Sequence, residues 1–72
     1  SMYQTDAEAM ETENRIYQKL DDTRVEVNDQ KIKDYEFKLL DPSLTKEQKD
    51  WIDRQIKSLD KKNDCIRKKE CQ

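Results

Sequence analysis

The stretch KLDDTRVEVNDQK, residues 19–31, decides the fold of this 72-residue chain. A helix either runs straight through it, ends and restarts inside it, or gives way to a short strand. The stretch contains neither glycine nor proline, and Asp and Thr each cost a helix interior only about 0.5 kcal/mol. We therefore predict that one helix continues through these residues.

Two alternatives remain open from the residues alone. Thr23 and Glu26 have the spacing of a capping box, which would start a new helix and give a compact three-helix bundle with a break near 21–23. Val25 and Val27, followed by an apolar alternation along residues 35–39, would instead fit strands. Two strands alone are marginal in water, and no glycine is present to favour a tight turn between them.

The clearest boundary in the chain is LLDPSLTKEQ, residues 39–48. Pro42 cannot continue a preceding helix, and it disfavours the helical conformation at Asp41. Thr45 and Gln48 then have the spacing of a capping box, in which each satisfies a free backbone N–H at the helix start. We predict a turn at about 41–44.

Composition favours an all-α protein. No glycine occurs, 44% of the residues are charged and only 32% are apolar. We predict an antiparallel helical hairpin: a long helix over about 5–40, the turn at about 41–44, and a second helix over about 45–69. Residues 1–72 would form a single small helical module, interpreted as a fragment of a larger protein. A core this thin favours self-association.

The second helix carries one apolar seam with a polar member, Asn63, which is a device for fixing register. In the first helix two apolar patterns differ in phase. Residues 16, 20, 23 and 27 fit one of them, and residues 25, 28, 32, 35 and 39 fit the other. With facing residue numbers summing to about 86, the predicted core and interface seam is Ile16, Leu20, Val27, Ile32, Tyr35, Leu39, Ile52, Ile56, Leu59, Asn63 and Ile66.

Charge is divided between the two halves of the chain. Residues 1–42 hold eleven acidic and six basic residues, a net charge of −5, whereas residues 43–72 hold six acidic and nine basic residues, a net charge of +3. The hairpin would place the basic residues of 61–69 beside Asp21 and Asp22, with the acidic residues of 1–13 extending past them. The split therefore agrees with halves that face each other.

Cys65 and Cys71 are predicted to be free thiols. On a continuous helix, six residues separate them by about 9 Å along the axis, which is too far for a mutual disulfide. A disulfide between two parallel chains is the alternative. No histidine occurs in the sequence and no C-x-x-C motif is present, so we expect neither a zinc site nor another cofactor.

Catalysis is not expected from this sequence. The lack of histidine excludes histidine-dependent triads, and a polar chain of this length offers little means of desolvating a catalytic carboxylate. Two surfaces remain as binding candidates. An apolar partner patch near the turn would comprise Phe37, Leu40, Leu44 and Trp51. Candidate contacts for phosphate groups would be Lys61, Lys62, Arg67, Lys68 and Lys69.

The sequence thus predicts a non-catalytic helical module for protein–protein interaction and oligomerisation. Its partner would be another protein or a second copy of the chain. The alternative is an element that binds nucleic acid or an acidic membrane surface through the basic segment 61–69. We expect an intracellular location, cytoplasmic or nuclear. The sequence has no apolar run long enough to cross a membrane, so we expect no transmembrane segment.

Overall fold

A computed structural model describes residues 5–71. They form two helices, α1 over Asp6–Lys38 and α2 over Lys46–Arg67. The helices pack against each other as a hairpin, which confirms the predicted all-α architecture. Residues 19–31 lie wholly inside α1, so both the break near 21–23 and the strand alternative are wrong.

Local hydrogen bonds hold the polar residues of the decisive stretch within the helix. The Thr23 hydroxyl donates to the backbone carbonyl of Lys19, four residues earlier, at 3.0 Å. Gln18 Nε2 donates to the Asp22 carboxylate at 3.0 Å. Because the Thr23 side chain bonds backward along α1, it does not serve as the cap of a new helix.

Both helices begin at a threonine that forms a capping box. Thr5 Oγ1 accepts from the N–H of Glu8 at 3.2 Å, and the Glu8 carboxylate accepts from the N–H of Thr5 at 3.3 Å. Thr45 and Gln48 make the same two bonds, at 3.1 and 2.8 Å. The capping box predicted at Thr45 and Gln48 is thus present, and both helices begin within one residue of their predicted starts at about 5 and 45.

The connection between the helices is organised by Asp41. Its carboxylate accepts hydrogen bonds from the hydroxyl and from the backbone N–H of Ser43, at 2.7 and 2.9 Å. These bonds favour the ionised carboxylate, so the Ser43 hydroxyl first and its N–H second lower the pKa of Asp41. The side chain thus closes a short turn across Pro42.

The C-terminal end of α2 is a Schellman motif. The N–H of Lys69 donates to the carbonyl of Ile66 at 3.1 Å, and the N–H of Glu70 donates to the carbonyl of Cys65 at 3.0 Å. Lys69 has a φ of 60°, the left-handed conformation in which glycine is more usual. The chain therefore reverses direction here, and the helix stops slightly before the predicted end at about 69.

The two helices differ in length, so part of α1 has no helical neighbour. With 33 residues against 22, α1 is longer by roughly 16 Å. The end of α2 lies level with about residues 18–24, where Lys69 reaches Gln18 and Asp21. Residues 6–17 extend past it, in agreement with the predicted acidic extension over 1–13; residues 1–4 of that prediction lie outside the described range.

Candidate interaction surfaces

The hairpin core is small and is built from one apolar pattern on each helix. On α1 the buried residue is Ile32, with residues 25, 28, 35 and 39 half-buried around it. On α2 the buried residues are Ile52, Leu59, Asn63 and Ile66, and Ile56 is half-buried. Of the two patterns on α1, the one that contains Val25 and Ile32 faces α2.

Three residues of the predicted seam are therefore not part of this core. Ile16 and Leu20 are each 55% exposed and Val27 is 50% exposed. At about 100° per residue, their pattern lies roughly 130° around α1 from the face that packs on α2. Because one helix cannot bury two faces this far apart against a single neighbour, the predicted seam mixed residues from two different surfaces.

The predicted register does not hold in the middle of the hairpin, although Tyr35 and Trp51 near the turn are in contact at the predicted sum of 86, and a polar cluster in the core shows the offset. Asn63, which is 1% exposed, accepts at Oδ1 from Asn28 Nδ2 at 2.9 Å and donates from Nδ2 to Asp29 Oδ1 at 2.9 Å. The facing numbers sum to 91 and 92 here, so Asn63 lies about five residues from its predicted neighbour. Asp29 was missed because it lies beside the apolar pattern and not on it.

The exposed pattern on α1 forms a continuous surface, which we call the α1 stripe: Ile16, Leu20, Thr23 and Val27. All four residues are exposed, and they follow the spacing of four, three and four typical of a helix-pairing face. The hydroxyl of Thr23 is bonded to the Lys19 carbonyl, so its methyl group remains for apolar contact. No charged residue interrupts the stripe.

The predicted partner patch at the turn is divided in the structure. Phe37, Leu40 and Leu44 line one open groove together with Ile52, and the first two are each 75% exposed. Trp51 lies apart from this groove, with its ring edge-to-face against Tyr35 at 6.0 Å between centroids. The apolar lining of the groove therefore consists of Phe37, Leu40, Leu44 and Ile52, and it does not include Trp51.

Part of the basic segment 61–69 is already engaged with acidic or polar residues of the chain. Lys69 Nζ lies 3.0 Å from the Asp21 carboxylate and 2.9 Å from Gln18 Oε1, which ties the cap of α2 to α1. Arg67 lies 3.9 Å from Asp64. Lys61, Lys62 and Lys68 are exposed.

The prediction of free thiols is wrong, because Cys65 and Cys71 form a disulfide. Their Cα atoms lie 5.1 Å apart, well inside the usual range for such a bond. The prediction assumed a helix that continues to about residue 69. The left-handed residue Lys69 instead turns the chain back and brings Cys71 beside the last turn of α2.

Two further features were sought among the described residues 5–71, a metal site and a membrane-spanning helix. These residues contain no cluster of three or more His, Cys, Asp or Glu side chains suited to a metal ion. Neither α1 nor α2 combines the length and the apolar character that crossing a membrane requires.

No protein-family model matches the sequence, and comparisons with curated proteins and with solved structures find no significant match.

Proposed function

We propose that this chain is a non-catalytic helical module for protein–protein interaction and oligomerisation, and that it associates through the α1 stripe. The observation that supports this most strongly is the pair of apolar faces on α1. One face is covered by α2, and the other leaves Ile16, Leu20 and Val27 half exposed or more. A helix that is apolar on two sides gains stability when a second neighbour covers the open side.

The small size of the hairpin core also supports association. Among residues 5–71, four apolar residues are buried: Ile32, Ile52, Leu59 and Ile66. Chains of this size commonly depend on disulfides, metals or oligomerisation, because a single core of this extent contributes only a few kcal/mol. Covering the α1 stripe would bury three more large aliphatic side chains.

Binding of nucleic acid or an acidic membrane is not proposed as a second function, since no specific observation favours it. Lys69 is directed toward Asp21, and Arg67 lies near Asp64. The intracellular location stays a prediction. The Cys65–Cys71 disulfide does not favour it, because disulfides form and persist chiefly in oxidising compartments.

A matched pair of substitutions tests the proposed function. Leu20→Asp places a charge in the centre of the α1 stripe, and Leu40→Asp places the same charge in the groove at the turn. We expect sedimentation equilibrium to show that Leu20→Asp abolishes self-association and that Leu40→Asp does not change it. Far-UV circular dichroism of both variants checks that the helices remain.

Association that survives Leu20→Asp but is lost with Leu40→Asp would move the interface from the α1 stripe to the groove at the turn. A wild-type chain that stays monomeric at millimolar concentration would overturn self-association.

A further inference from the structure

We infer that the occupant of the α1 stripe is the same stripe of a second copy, running antiparallel. This inference rests on the proposed function and adds the identity, direction and register of the partner. In the proposed register, facing residues of the stripe have numbers that sum to 43. Ile16 then packs on Val27 of the second copy, and Leu20 packs on Thr23 of the second copy.

The stripe is self-complementary in shape when it is reversed. Its spacing of four, three and four reads the same from either end, so a two-fold axis passes between residues 21 and 22. Ile16 meets Val27 of the second copy and Leu20 meets Thr23, so every contact includes at least one β-branched side chain. In heptad terms, Leu20 and Val27 are a positions and Ile16 and Thr23 are d positions, and antiparallel helices pair a with d.

The charges beside the stripe also fit the antiparallel direction. Lys19 and Glu26 flank the same edge of the stripe, seven residues apart, and both are exposed. Neither forms an ion pair with any residue that the structure describes. In the antiparallel register Lys19 faces Glu26 of the second copy, and the two-fold axis repeats that contact, so two ion pairs form.

On the other edge of the stripe, Tyr17 and Arg24 make a second symmetric contact. When facing residues of the stripe have numbers that sum to 43, facing residues on this edge have numbers that sum to 41. Tyr17 and Arg24 meet this condition. The guanidinium group of Arg24, which also lies 3.5 Å from Asp21, would stack on the Tyr17 ring of the second copy. Tyr17 is 63% exposed in the single chain, so the ring is open to such a contact.

A parallel pairing of the same stripe would bring like charges together. Parallel helices pair a with a, so Glu13 would face Glu13 of the second copy and Asp34 would face Asp34. Lys19 would face Arg24 of the second copy. In the antiparallel register Glu13 instead faces Gln30 and lies next to Lys31, and Asp34 faces Ala9. The parallel pairing keeps one favourable contact, Glu26 with Lys31 of the second copy, but its like-charge contacts outnumber it, so repulsion favours the antiparallel direction.

Two single charge reversals test the direction. Lys19→Glu would place two glutamates opposite each other at both symmetric contacts, and Glu26→Lys would place two lysines there. We expect each variant alone to dimerise about tenfold more weakly than the wild type, because two favourable pairs become two repulsive ones. Mixing the two variants restores both pairs, so the mixture should dimerise with wild-type affinity.

The matched control is Lys33→Glu. It makes the same change of charge as Lys19→Glu, but Lys33 lies roughly 110° around α1 from the centre of the stripe and faces uncharged Thr12 in this register. We expect it to dimerise like the wild type. Far-UV circular dichroism of all variants separates loss of association from loss of helix.

The outcomes distinguish the inference from the proposed function. In a parallel dimer residue 19 faces Arg24, so Lys19→Glu would strengthen association, and that result would overturn the antiparallel direction. Association of the wild type that neither reversal changes would overturn the inference and leave the proposed function standing. A wild type that remains monomeric would overturn self-association and the inference together.

Discussion

Asn28 and Asn63 are joined side chain to side chain across the hairpin, with the amide nitrogen of Asn28 2.9 Å from the amide oxygen of Asn63. The amide nitrogen of Asn63 donates a hydrogen bond to the Asp29 carboxylate at 2.9 Å. These two bonds satisfy a residue that is 1% exposed, and no buried side-chain polar atom lacks a partner among the described residues. The pairing also relates one specific turn of α1 to one specific turn of α2.

We predict that Asn63→Ala lowers the free energy of unfolding by about 1–3 kcal/mol. The substitution leaves partly buried Asn28 and Asp29 without their cross-helix partner, and such unpaired groups incur a desolvation cost. Urea unfolding followed by far-UV circular dichroism measures the change. Asn14→Ala, on the exposed part of α1, serves as the control and should change stability by less than about 0.5 kcal/mol. Equal stability of the two variants would contradict a structural role for the cluster.

We expect Leu59→Ala to be among the most destabilising substitutions in the hairpin. Leu59 is one of four buried apolar residues in the part of the chain that the structure describes, and truncating a buried leucine costs about 2–5 kcal/mol. That is comparable with the total stability expected of a chain this small. Far-UV circular dichroism should therefore show that the variant has already lost much of its helix at 25 °C, before thermal unfolding begins. Leu40→Ala, at a residue that is 75% exposed, should unfold like the wild type; a similar loss in both would argue against the described core.

Reduction of the disulfide should lower stability without unfolding α1. The bond joins two cysteines that are six residues apart in sequence. Closing a loop of this length lowers the entropy of the unfolded chain by an amount that corresponds to about 2 kcal/mol of stability. Reduction also frees the segment that carries Lys69, whose side chain bonds to Asp21. We expect a lower melting temperature in the presence of a reducing agent. A variant with both cysteines replaced by serine should melt at that lower temperature whether or not the reductant is present. A melting temperature of the wild type that is indifferent to reductant would count against the cap as a contributor to stability.

The turn should weaken in acid because of Asp41. Its folded-state pKa is lowered by the two hydrogen bonds from Ser43, so the ionised carboxylate contributes stability at pH values above the ordinary Asp pKa of about 3.9. This contribution is lost as the pH falls through the lowered folded-state pKa. Stability measured from pH 6 downward should therefore fall less in Asp41→Asn than in the wild type. Parallel curves for the two proteins would show that the carboxylate is not linked to folding.

The features that could be predicted from the sequence are the ones with a local cause. Pro42 prevents a helix from continuing, and Thr5 and Thr45 each have a capping partner three residues later. Each of these signals acts within a few residues, so the hairpin and the helix starts follow from them. Thr23 has the same spacing to Glu26, but its hydroxyl bonds to Lys19, because nothing ends the helix before it.

The face of α1 that meets α2 could not be predicted in the same way. Both apolar patterns on α1 have helical spacing, and the choice between them depends on contacts between residues 35 positions apart, such as Asn28 with Asn63. The disulfide was missed for a related reason. It requires a left-handed residue at position 69, and lysine there gives no sequence signal of the kind that glycine would.

The most direct test of the proposed association is the mass of the unmodified, oxidised chain in solution. Sedimentation equilibrium should be recorded from micromolar to millimolar concentration, with circular dichroism on the same samples. We predict that the apparent mass rises from the 8.7 kDa of one chain toward twice that value, with constant helix content. A mass that stays at 8.7 kDa over the whole range would contradict self-association through the α1 stripe.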